Sequence, residues 1–270
     1  MRSFDYIESG KTLLTPHTTS LLAAIHEAKG RQSIQTTIRP DILGTLVAVA
    51  RIQSTDASNR IEGISTSDSR LNDLVSEKVT PRNRNEEEIA GYRDALSVIH
   101  ESHDYIPITP NVILQLHRDL FRHTPLTFAG HFKDSDNVII ERDAHGTSTV
   151  RFAPPSALVT PELIERACSA YTQAIRDGHT DPLLAIAMFI LDFICIHPFN
   201  DGNGRMSRLL TLLMLYRNGY MVGKYISIEH LIEQSKSTYY EALDASTQGW
   251  DDNANDYAPF TNYLLGIIPV

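Results

Sequence analysis

The chain has 270 residues, enough for one large domain or two small ones. With 42% hydrophobic and 21% charged residues, its composition is that of a globular protein, which excludes disordered, collagen-like and disulfide-stapled classes. Its 24 Lys and Arg against 33 Asp and Glu give a net charge of −9, which disfavours general nucleic-acid binding because that needs a basic surface.

The first residues lack the apolar core of a signal peptide, and Asp192 interrupts the longest apolar stretch, residues 183–196. This stretch is shorter than the roughly 20 residues of a membrane-spanning helix, so we expect it to be buried in the core. The two cysteines, Cys168 and Cys195, give no disulfide framework, which favours a reducing compartment. We therefore expect a cytoplasmic protein that binds neither membranes nor nucleic acid.

Periodic apolar residues predict a mostly helical chain. In the N-terminal part, a period near 3.6 predicts helices at residues 19–29, 41–61 and 86–100. The polar stretch 80–88 is the predicted boundary between this part and a core. Further on, Thr109 can cap a helix that begins at Pro110 and runs to Leu120.

Between residues 124 and 155 the pattern changes. Apolar runs at 138–140 and 150–152 flank the turn signal Asp143-Ala144-His145-Gly146, which predicts a β-hairpin. After it, Thr160 is expected to cap a helix that begins at Pro161. Apolar periodicity predicts further helices at 182–196, 205–216, 237–246 and 257–268.

The segment from Ile196 to Arg208, IHPFNDGNGRMSR, joins the most apolar predicted helix to the next one. Gly202 and Gly204 let the backbone approach a ligand closely, and the first amides of the following helix form an anion-binding nest. Arg205 and Arg208 add two forked cationic donors. The segment therefore predicts a phosphate site in a chain of acidic net charge.

Other side chains of this loop suit phosphate chemistry. Asp201 precedes the nest, where a lone carboxylate beside phosphates commonly holds Mg²⁺. The imidazole of His197, with an ordinary pKa of about 6.5, can accept a proton from an attacking hydroxyl at neutral pH. Phe199 is expected to anchor the loop in the core. Singly, such residues are typical of caps, turns and solvated positions; together, between two apolar helices, they favour a functional site.

His197 to Arg208 resembles the Fic motif, His-x-Phe-x-(Asp/Glu)-Gly-Asn-Gly-Arg-x-x-Arg, at every defined position. The resemblance covers about residues 112–247. Segments outside the motif that share it are Leu116-His117, Ala129-Gly130-His131-Phe132-Lys133, Pro154-Pro155 and Tyr239-Tyr240-Glu241-Ala242-Leu243. It implies a mainly α, Fic-type helical bundle with a short β-hairpin flap, and transfer of AMP from ATP to a Ser, Thr or Tyr hydroxyl of a target protein.

The resemblance also implies residue roles. His197 would be the general base, and Asp201 would hold Mg²⁺, with Mn²⁺ as an alternative, against the α- and β-phosphates. Arg205 would bind the β-phosphate region and Arg208 the γ-phosphate. The remaining nucleotide-binding positions inside the motif would be Gly202, Asn203, Gly204, Met206 and Ser207.

Three features outside the motif follow from the same resemblance. The hairpin, with Val138 and Ile139, lies where the family has the flap that holds a target segment by strand addition. Lys133 stands where arginine is common, so it keeps the charge but loses the fork. Tyr239 and Tyr240 are candidates for the adenine pocket, with plain core packing as the equal alternative.

Ser58-Asn59-Arg60-Ile61-Glu62-Gly63 matches the family's inhibitory motif, (Ser/Thr)-x-x-x-Glu-(Gly/Asn). Ser58 and Glu62 are four residues apart and share one helix face, and Gly63 can end the helix. The resemblance implies that Glu62 pairs with Arg208 and removes the γ-phosphate ligand. The alternative is an exposed Ser and Glu at a helix end.

We divide the chain into an N-terminal helical region carrying the inhibitory motif (1–105), a catalytic core (106–248) and a helical tail (249–270). The leading hypothesis is an autoinhibited protein adenylyltransferase that can modify itself; its oligomeric state stays open. The alternatives are a reversible enzyme in which Glu62 orients water to remove AMP, a different nucleotide or phosphate donor, and a non-catalytic nucleotide- or peptide-binding protein. A zinc hydrolase using His100 and His103 is the weakest, because no third ligand is evident.

Overall fold

The computed structural model describes residues 2–35, 40–142 and 148–269, and helices make up most of them. The α-helices are α1 (Tyr6–Thr12), α2 (Pro16–Gln35), α3 (Pro40–Ile61), α4 (Asp68–Val75), α5 (Arg84–Ser102), α6 (Pro110–Leu120), α7 (Thr160–Asp177), α8 (Pro182–Ile196), α9 (Asn203–Arg217), α10 (Ile228–Gln234), α11 (Lys236–Thr247) and α12 (Ala258–Ile267). Short 3₁₀ turns cover His103–Tyr105 and Val222–Lys224. In these ranges no helix is both long and apolar enough to cross a bilayer.

Two strands interrupt the helices. β1 (Ile139–Arg142) and β2 (Ser148–Phe152) pair antiparallel, with Ile140 opposite Val150 and Ile139 opposite Phe152. A register shift separates these two pairs, which is a local irregularity of the ladder. The predicted turn, 143–146, lies outside the described residues.

Helix α8 is the centre of the core. Every residue from Leu183 to Phe193 is buried, because α7, α9, α12, α1 and α11 all pack around it. A helix that is apolar on all sides is stable only when it is covered on all sides. Its predicted bounds are confirmed, and the helix carries the chain to His197 at its C-terminal end.

A buried polar cluster ties both ends of the chain to α8. The Asp192 carboxylate accepts hydrogen bonds from the Arg2 guanidinium at 3.0 Å and from the Trp250 indole at 2.6 Å. Its second oxygen accepts from the hydroxyls of Tyr6 and Tyr257, each at 2.8 Å. Arg2 also stacks 4.8 Å over the Trp250 ring. The only charged residue of α8 is thus fully partnered, five positions before His197.

Removing this carboxylate is expected to destabilise the fold. In Asp192→Ala the buried Arg2 guanidinium loses its partner, so we expect the free energy of unfolding to fall by about 3–5 kcal/mol. Denaturant titration measures the change. The control is Glu8→Ala, which breaks an exposed pair with Lys11 and should cost about 0–1 kcal/mol. Equal losses in the two variants would contradict the structural role of Asp192.

Helix α3 departs from its predicted face. The periodic apolar residues Ile42 and Leu46 are substantially exposed, as is Val49. The C-terminal half of α3 instead buries polar side chains, namely Ser54, Thr55, Ser58 and Asn59. Buried hydroxyl and amide groups need hydrogen-bond partners, so this polar face indicates that specific polar groups oppose it.

Two details of the helix boundaries differ from expectation. Thr109 caps α6 as predicted, since its side chain accepts from the Val112 amide. Thr160 does not cap α7: it is the first helical residue, its hydroxyl donates to the Ser156 carbonyl, and Val159 is the capping position. Helices α1, α4 and α10 were not predicted, because each has only seven or eight residues and shows too little periodicity.

Candidate functional site

The loop between α8 and α9 is held in a fixed, strained conformation. His197 takes the left-handed region, with φ 48° and ψ 62°, and Gly202 does so just before α9, with φ 82°. The Asn203 side chain accepts from the Phe199 amide at 2.9 Å and donates to the Phe199 carbonyl at 2.8 Å. A non-glycine residue in the left-handed region is uncommon and is held there by its surroundings.

His117 in α6 fixes this loop from behind. Its ring stacks on Phe199, with centroids 3.7 Å apart and planes 1° apart. The Gly130 amide donates to Nδ1 at 2.9 Å, which leaves Nε2 as the donor to the Asp201 carbonyl at 3.0 Å. Burial lowers the pKa of His117 to about 4, so the ring stays neutral. The interior of the loop, at Phe199 and Asp201, therefore depends on a helix that lies far away in the sequence.

A cavity of about 230 Å³ opens where α8 ends and α9 begins. The loop and α9 contribute His197, Asn203, Gly204 and Arg208 to its lining, and Glu62 joins them from the end of α3. Helix α11 contributes Tyr239, Tyr240, Leu243, Asp244 and Thr247, and the remaining lining residues are Phe152, Ile194 and Cys195. The lining is thus polar around the helix N-terminus and largely apolar elsewhere, which suits a nucleotide.

The His197 side chain is neutral at physiological pH. Burial lowers its pKa to about 4; the charge of Lys133 acts in the same direction, whereas the Ile194 carbonyl and Glu62 oppose it. Burial also lowers the pKa of Lys133 to about 8. The Lys133 ammonium donates to the carbonyl of Ile196 at 3.2 Å and to the Asn137 side chain at 3.0 Å. The Lys133 amide also donates to the Pro198 carbonyl at 2.8 Å, so this lysine contacts the loop despite lacking the arginine fork.

Glu62 lies over the N-terminus of α9. Its Oε1 accepts from Arg208 Nη2 at 2.7 Å, and Arg208 also donates to the Ser58 hydroxyl at 2.8 Å and the Ser58 carbonyl at 2.9 Å. A Cβ placed on Gly204 would collide with the same Oε1, so a side chain at position 204 would displace the carboxylate from this position. The Glu62 carboxylate thus lies against the first turn of α9, beside Gly204 and Arg208.

Arg205 and Asp201 belong to a ring of alternating charges. Arg205 is buried and contacts Glu88 at 2.7 Å and Asp201 at 3.7 Å. Arg84 completes the ring, 2.7 Å from Glu88 and 3.4 Å from Asp201. Arg205 also stacks 5.0 Å over the Phe121 ring. Neither Arg205 nor Asp201 is among the described lining residues of the cavity.

The residues present fit a Mg²⁺ ion that takes most of its ligands from phosphates and water. Mg²⁺ commonly binds one or two carboxylates, and Asp201 is a single carboxylate with 43% of its side chain exposed. Among the described residues, no three His, Cys, Asp or Glu side chains form an all-protein metal cluster. A bound ion would have to share Asp201 with Arg84 and Arg205.

The other predicted site residues are dispersed. Met206 and Ser207 are buried in α9, and the Ser207 hydroxyl donates to the Gly204 carbonyl at 2.7 Å. Tyr239 packs against Tyr263 and Phe260 and also lines the cavity, and its adenine-binding role stays a prediction. Val138 precedes β1 and is 52% exposed, and Ile139 is the first residue of β1.

Sequence reasoning missed several residues that contact the site. Glu88 contacts Arg205, and the Asn59 side chain lies 3.5 Å from it. No local sequence pattern predicts either contact. Leu243 and Asp244 had a usable signal, because they follow Tyr239 and Tyr240 by four positions and share their helix face. Cys195 and Ile194 were predicted only as core residues.

Residues 107–215 match the family model described as Fic/DOC family. Protein adenylyltransferase fic-1 of Caenorhabditis elegans is 26% identical over 189 residues, which cover 67% of this chain and 32% of that protein. A Fido domain-containing protein of Dictyostelium discoideum is 37% identical over 90 residues, covering 32% of this chain and 58% of that protein. Protein adenylyltransferase Fic of Nematostella vectensis is 24% identical over 217 residues, which cover 77% of this chain and 44% of that protein. The chain thus spans between a third and three fifths of these relatives.

Solved structures share the architecture. A Fic domain-containing signaling protein from Bacteroides thetaiotaomicron superposes with a TM-score of 0.74 at 25% identity, covering 93% of this chain and 92% of the other. A Fic family protein from Desulfovibrio desulfuricans gives a TM-score of 0.73 at 24% identity, covering 94% of this chain and 72% of the other. The expected mainly helical fold is therefore confirmed.

Proposed function

Because residues 107–215 match the Fic/DOC family model, we propose that the chain is a protein adenylyltransferase, which transfers AMP from ATP to a Ser, Thr or Tyr hydroxyl of a target protein. The observation that carries the proposal is one cavity that holds a neutral imidazole, the N-terminus of a helix and an arginine, from His197, Gly204 and Arg208. The curated relatives named as protein adenylyltransferases support the same activity.

The proposed reaction is an in-line displacement at the α-phosphorus. His197 accepts the proton of the target hydroxyl as its oxygen bonds to the α-phosphorus, and the bond to the β-phosphate oxygen breaks to release pyrophosphate. The first amides of α9 and the guanidinium of Arg208 bind the phosphates. Mg²⁺ held by Asp201 would supply charge neutralisation on the phosphates when bound. Most of the catalysis is then positioning and electrostatic stabilisation.

The aromatic part of the lining suits the base of the nucleotide. Tyr239 and Tyr240 lie on α11 with ring centroids 5.3 Å apart, beside Leu243. These side chains offer apolar surface of the kind that binds a purine. The predicted phosphate role of Arg205 requires that it leave Glu88 or act through the loop, whereas Arg208 already faces the cavity.

We propose further that Glu62 inhibits the enzyme. It contacts Arg208 and lies over Gly204, where it competes with nucleotide phosphates for the same donors. The proposal keeps the three-part division of the chain, in which residues 1–105 carry the inhibitory helix, 106–248 form the catalytic core and 249–270 form the tail. The target segment would dock by main-chain pairing at the hairpin, near Val138 and Ile139.

The activity is tested with ATP labelled at either the α- or the γ-phosphate, incubated with the chain and a lysate. Counting only label above that of the lysate without the chain, we expect protein-bound label from α-labelled ATP only, with the acceptor hydroxyls identified by mass spectrometry and self-modification visible as label on the chain itself. Label from γ-labelled ATP alone would overturn AMP transfer in favour of phosphate transfer. Absence of label from both, in a variant freed of Glu62, would overturn the proposed activity.

The base role of His197 predicts an unusual pH profile. Since burial lowers its pKa to about 4, the imidazole is already neutral at about pH 5. For Glu62→Gly we expect kcat/KM for ATP, which reports groups of the free enzyme, to lack an acid limb near pH 6.5. Initial rates between about pH 5 and 8 measure this, with circular dichroism as the control for folding. A tenfold fall per pH unit starting at 6.5 would contradict the expectation.

A further inference from the structure

The buried polar face of α3 extends one turn beyond the inhibitory motif. Ser54, Ser58 and Glu62 follow one another at four-residue spacing and therefore share one face of the helix. Ser58 and Glu62 both contact Arg208. Ser54 is buried as well, but its hydroxyl donates at 2.8 Å to Glu229 in α10. Ser54, the N-terminal member of this series, therefore contacts Glu229, a residue that does not line the cavity.

Glu229 joins three helices through one buried carboxyl group. One oxygen accepts from Ser54 in α3 and also lies 3.3 Å from the Ser227 hydroxyl. The other accepts at 2.9 Å from the Tyr92 hydroxyl in α5. Burial raises the pKa of Glu229, and among the opposing influences is the charge of Arg208. A buried carboxyl that is well partnered holds its neighbours in one arrangement, because leaving it unpartnered is costly.

Glu62 depends on such an arrangement. Its side chain is 34% exposed whereas its partner Arg208 is only 3% exposed, so the pair forms only while α3 holds Glu62 against a buried guanidinium. Ser54 and Glu62 are eight positions apart, about 12 Å along the helix axis, and Glu62 directly follows the last helical residue, Ile61. A displacement of α3 at Ser54 therefore moves Glu62 as well. The contact between Glu62 and Arg208 therefore also depends on how α3 is held two turns earlier, at Ser54.

We propose that Glu229 is a positioning residue for autoinhibition, which holds α3 through Ser54 so that Glu62 stays on Arg208. This inference rests on the proposed function of Glu62. Loss of the Ser54 hydrogen bond frees α3 to shift, Arg208 becomes available to phosphates, and the basal transfer activity rises. Glu229 itself touches neither the nucleotide cavity lining nor Arg208 by a hydrogen bond in the described contacts.

The test compares label incorporation from α-labelled ATP in Ser54→Ala, Glu229→Ala and Ser246→Ala. Ser246→Ala is the matched control, since it also removes a buried hydroxyl, one that accepts from the Phe260 amide between α11 and α12. A lost hydrogen bond of about 1 kcal/mol corresponds to a rise of roughly fivefold in Ser54→Ala, with a larger rise in Glu229→Ala and none in the control. The KM for ATP should fall in both test variants.

Epistasis separates positioning from general loosening. In a Glu62→Gly background, Ser54→Ala and Glu229→Ala should add no further activity, because the contact they protect is gone. Glu229→Gln, which keeps the hydrogen-bonding shape, should stay closer to the parent than Glu229→Ala. If Glu229→Ala does not fold, the label incorporated by Ser54→Ala, compared with that of Ser246→Ala, decides whether the inference holds. No rise above Ser246→Ala, in a preparation where Glu62→Gly is active, would overturn the inference and leave the proposed function intact.

Hydrogen exchange gives a readout that does not require activity. We expect the amides at the C-terminal end of α3 to exchange faster in Glu229→Ala than in Ser246→Ala. If Glu62→Gly shows no transfer, the proposed function fails, and the exchange rates alone decide whether Glu229 holds α3. Equal protection of α3 in the two variants would overturn the positioning role.

Discussion

Glu62→Gly is expected to incorporate roughly 10- to 100-fold more label from α-labelled ATP than the parent chain. Burial by itself would raise the pKa of Glu62, but the charge and hydrogen bond of Arg208 outweigh it and lower that pKa, so the carboxylate is ionised and bound. A hydrogen bond between charged groups is worth about 1.5–3 kcal/mol, which corresponds to this range of rates. The measurement is the initial rate of labelling at fixed ATP.

The glycine variant should remain folded. Glu62 follows the last residue of α3 and precedes Gly63, which ends the helix with φ 78°, so a glycine there disturbs little helical structure. Glu62→Gln serves as a graded control, because it keeps the side-chain volume but loses the charge, and we expect an intermediate rate. If Glu62→Gly labels no faster than the parent, Glu62 is not inhibitory.

His197→Ala, made in the Glu62→Gly background, should lose transfer activity by roughly 10²–10⁴-fold. Without the imidazole, the acceptor hydroxyl loses the base that stands at the end of α8, and the remaining carboxylate of the lining, Asp244, lies on α11. Nucleotide affinity should change by only a few-fold, because the phosphate donors of α9 and Arg208 remain in place. Labelling rates and equilibrium binding of a fluorescent ATP analogue measure the two quantities separately.

The control for this variant is His179→Ala in the same background. His179 is exposed in the connection between α7 and α8, so its loss should leave labelling unchanged. Alanine at position 197 must take the same left-handed backbone conformation as histidine, so the variant's circular dichroism is compared with that of the parent. Transfer activity retained by a folded His197→Ala would remove His197 from the role of base.

Much of the fold was readable from the sequence because its helices are local patterns. The apolar run in α8 predicted its bounds, and the Thr-Pro pair at 109–110 predicted the start of α6. The short helices α1 and α10 were not readable, since seven residues complete only two turns and carry little periodicity. The exposed Ile42 in α3 shows that periodicity predicts a helix without deciding which face is buried.

The tertiary partners of the two motif arginines could not be predicted from the local sequence. Three residues apart on α9, Arg205 and Arg208 were expected to serve one phosphate site. The structure places Arg208 in the cavity against α3, whereas Arg205 lies buried against Glu88 of α5. Spacing on a helix fixes the directions of two side chains only to within a turn. Their partners come from helices more than a hundred residues away in the chain.

The sequence alone determined the helix-loop-helix around His197, because glycine conformations, helix termini and apolar runs act between neighbouring residues. Only the tertiary structure decided which groups meet that loop: His117 on Phe199, Glu62 over Gly204, and Glu229 behind α3. Such contacts depend on how whole helices pack, and the free energy that selects one packing is shared by the entire core. A residue pattern therefore specifies a chemical group, and the packing of distant helices specifies what that group contacts.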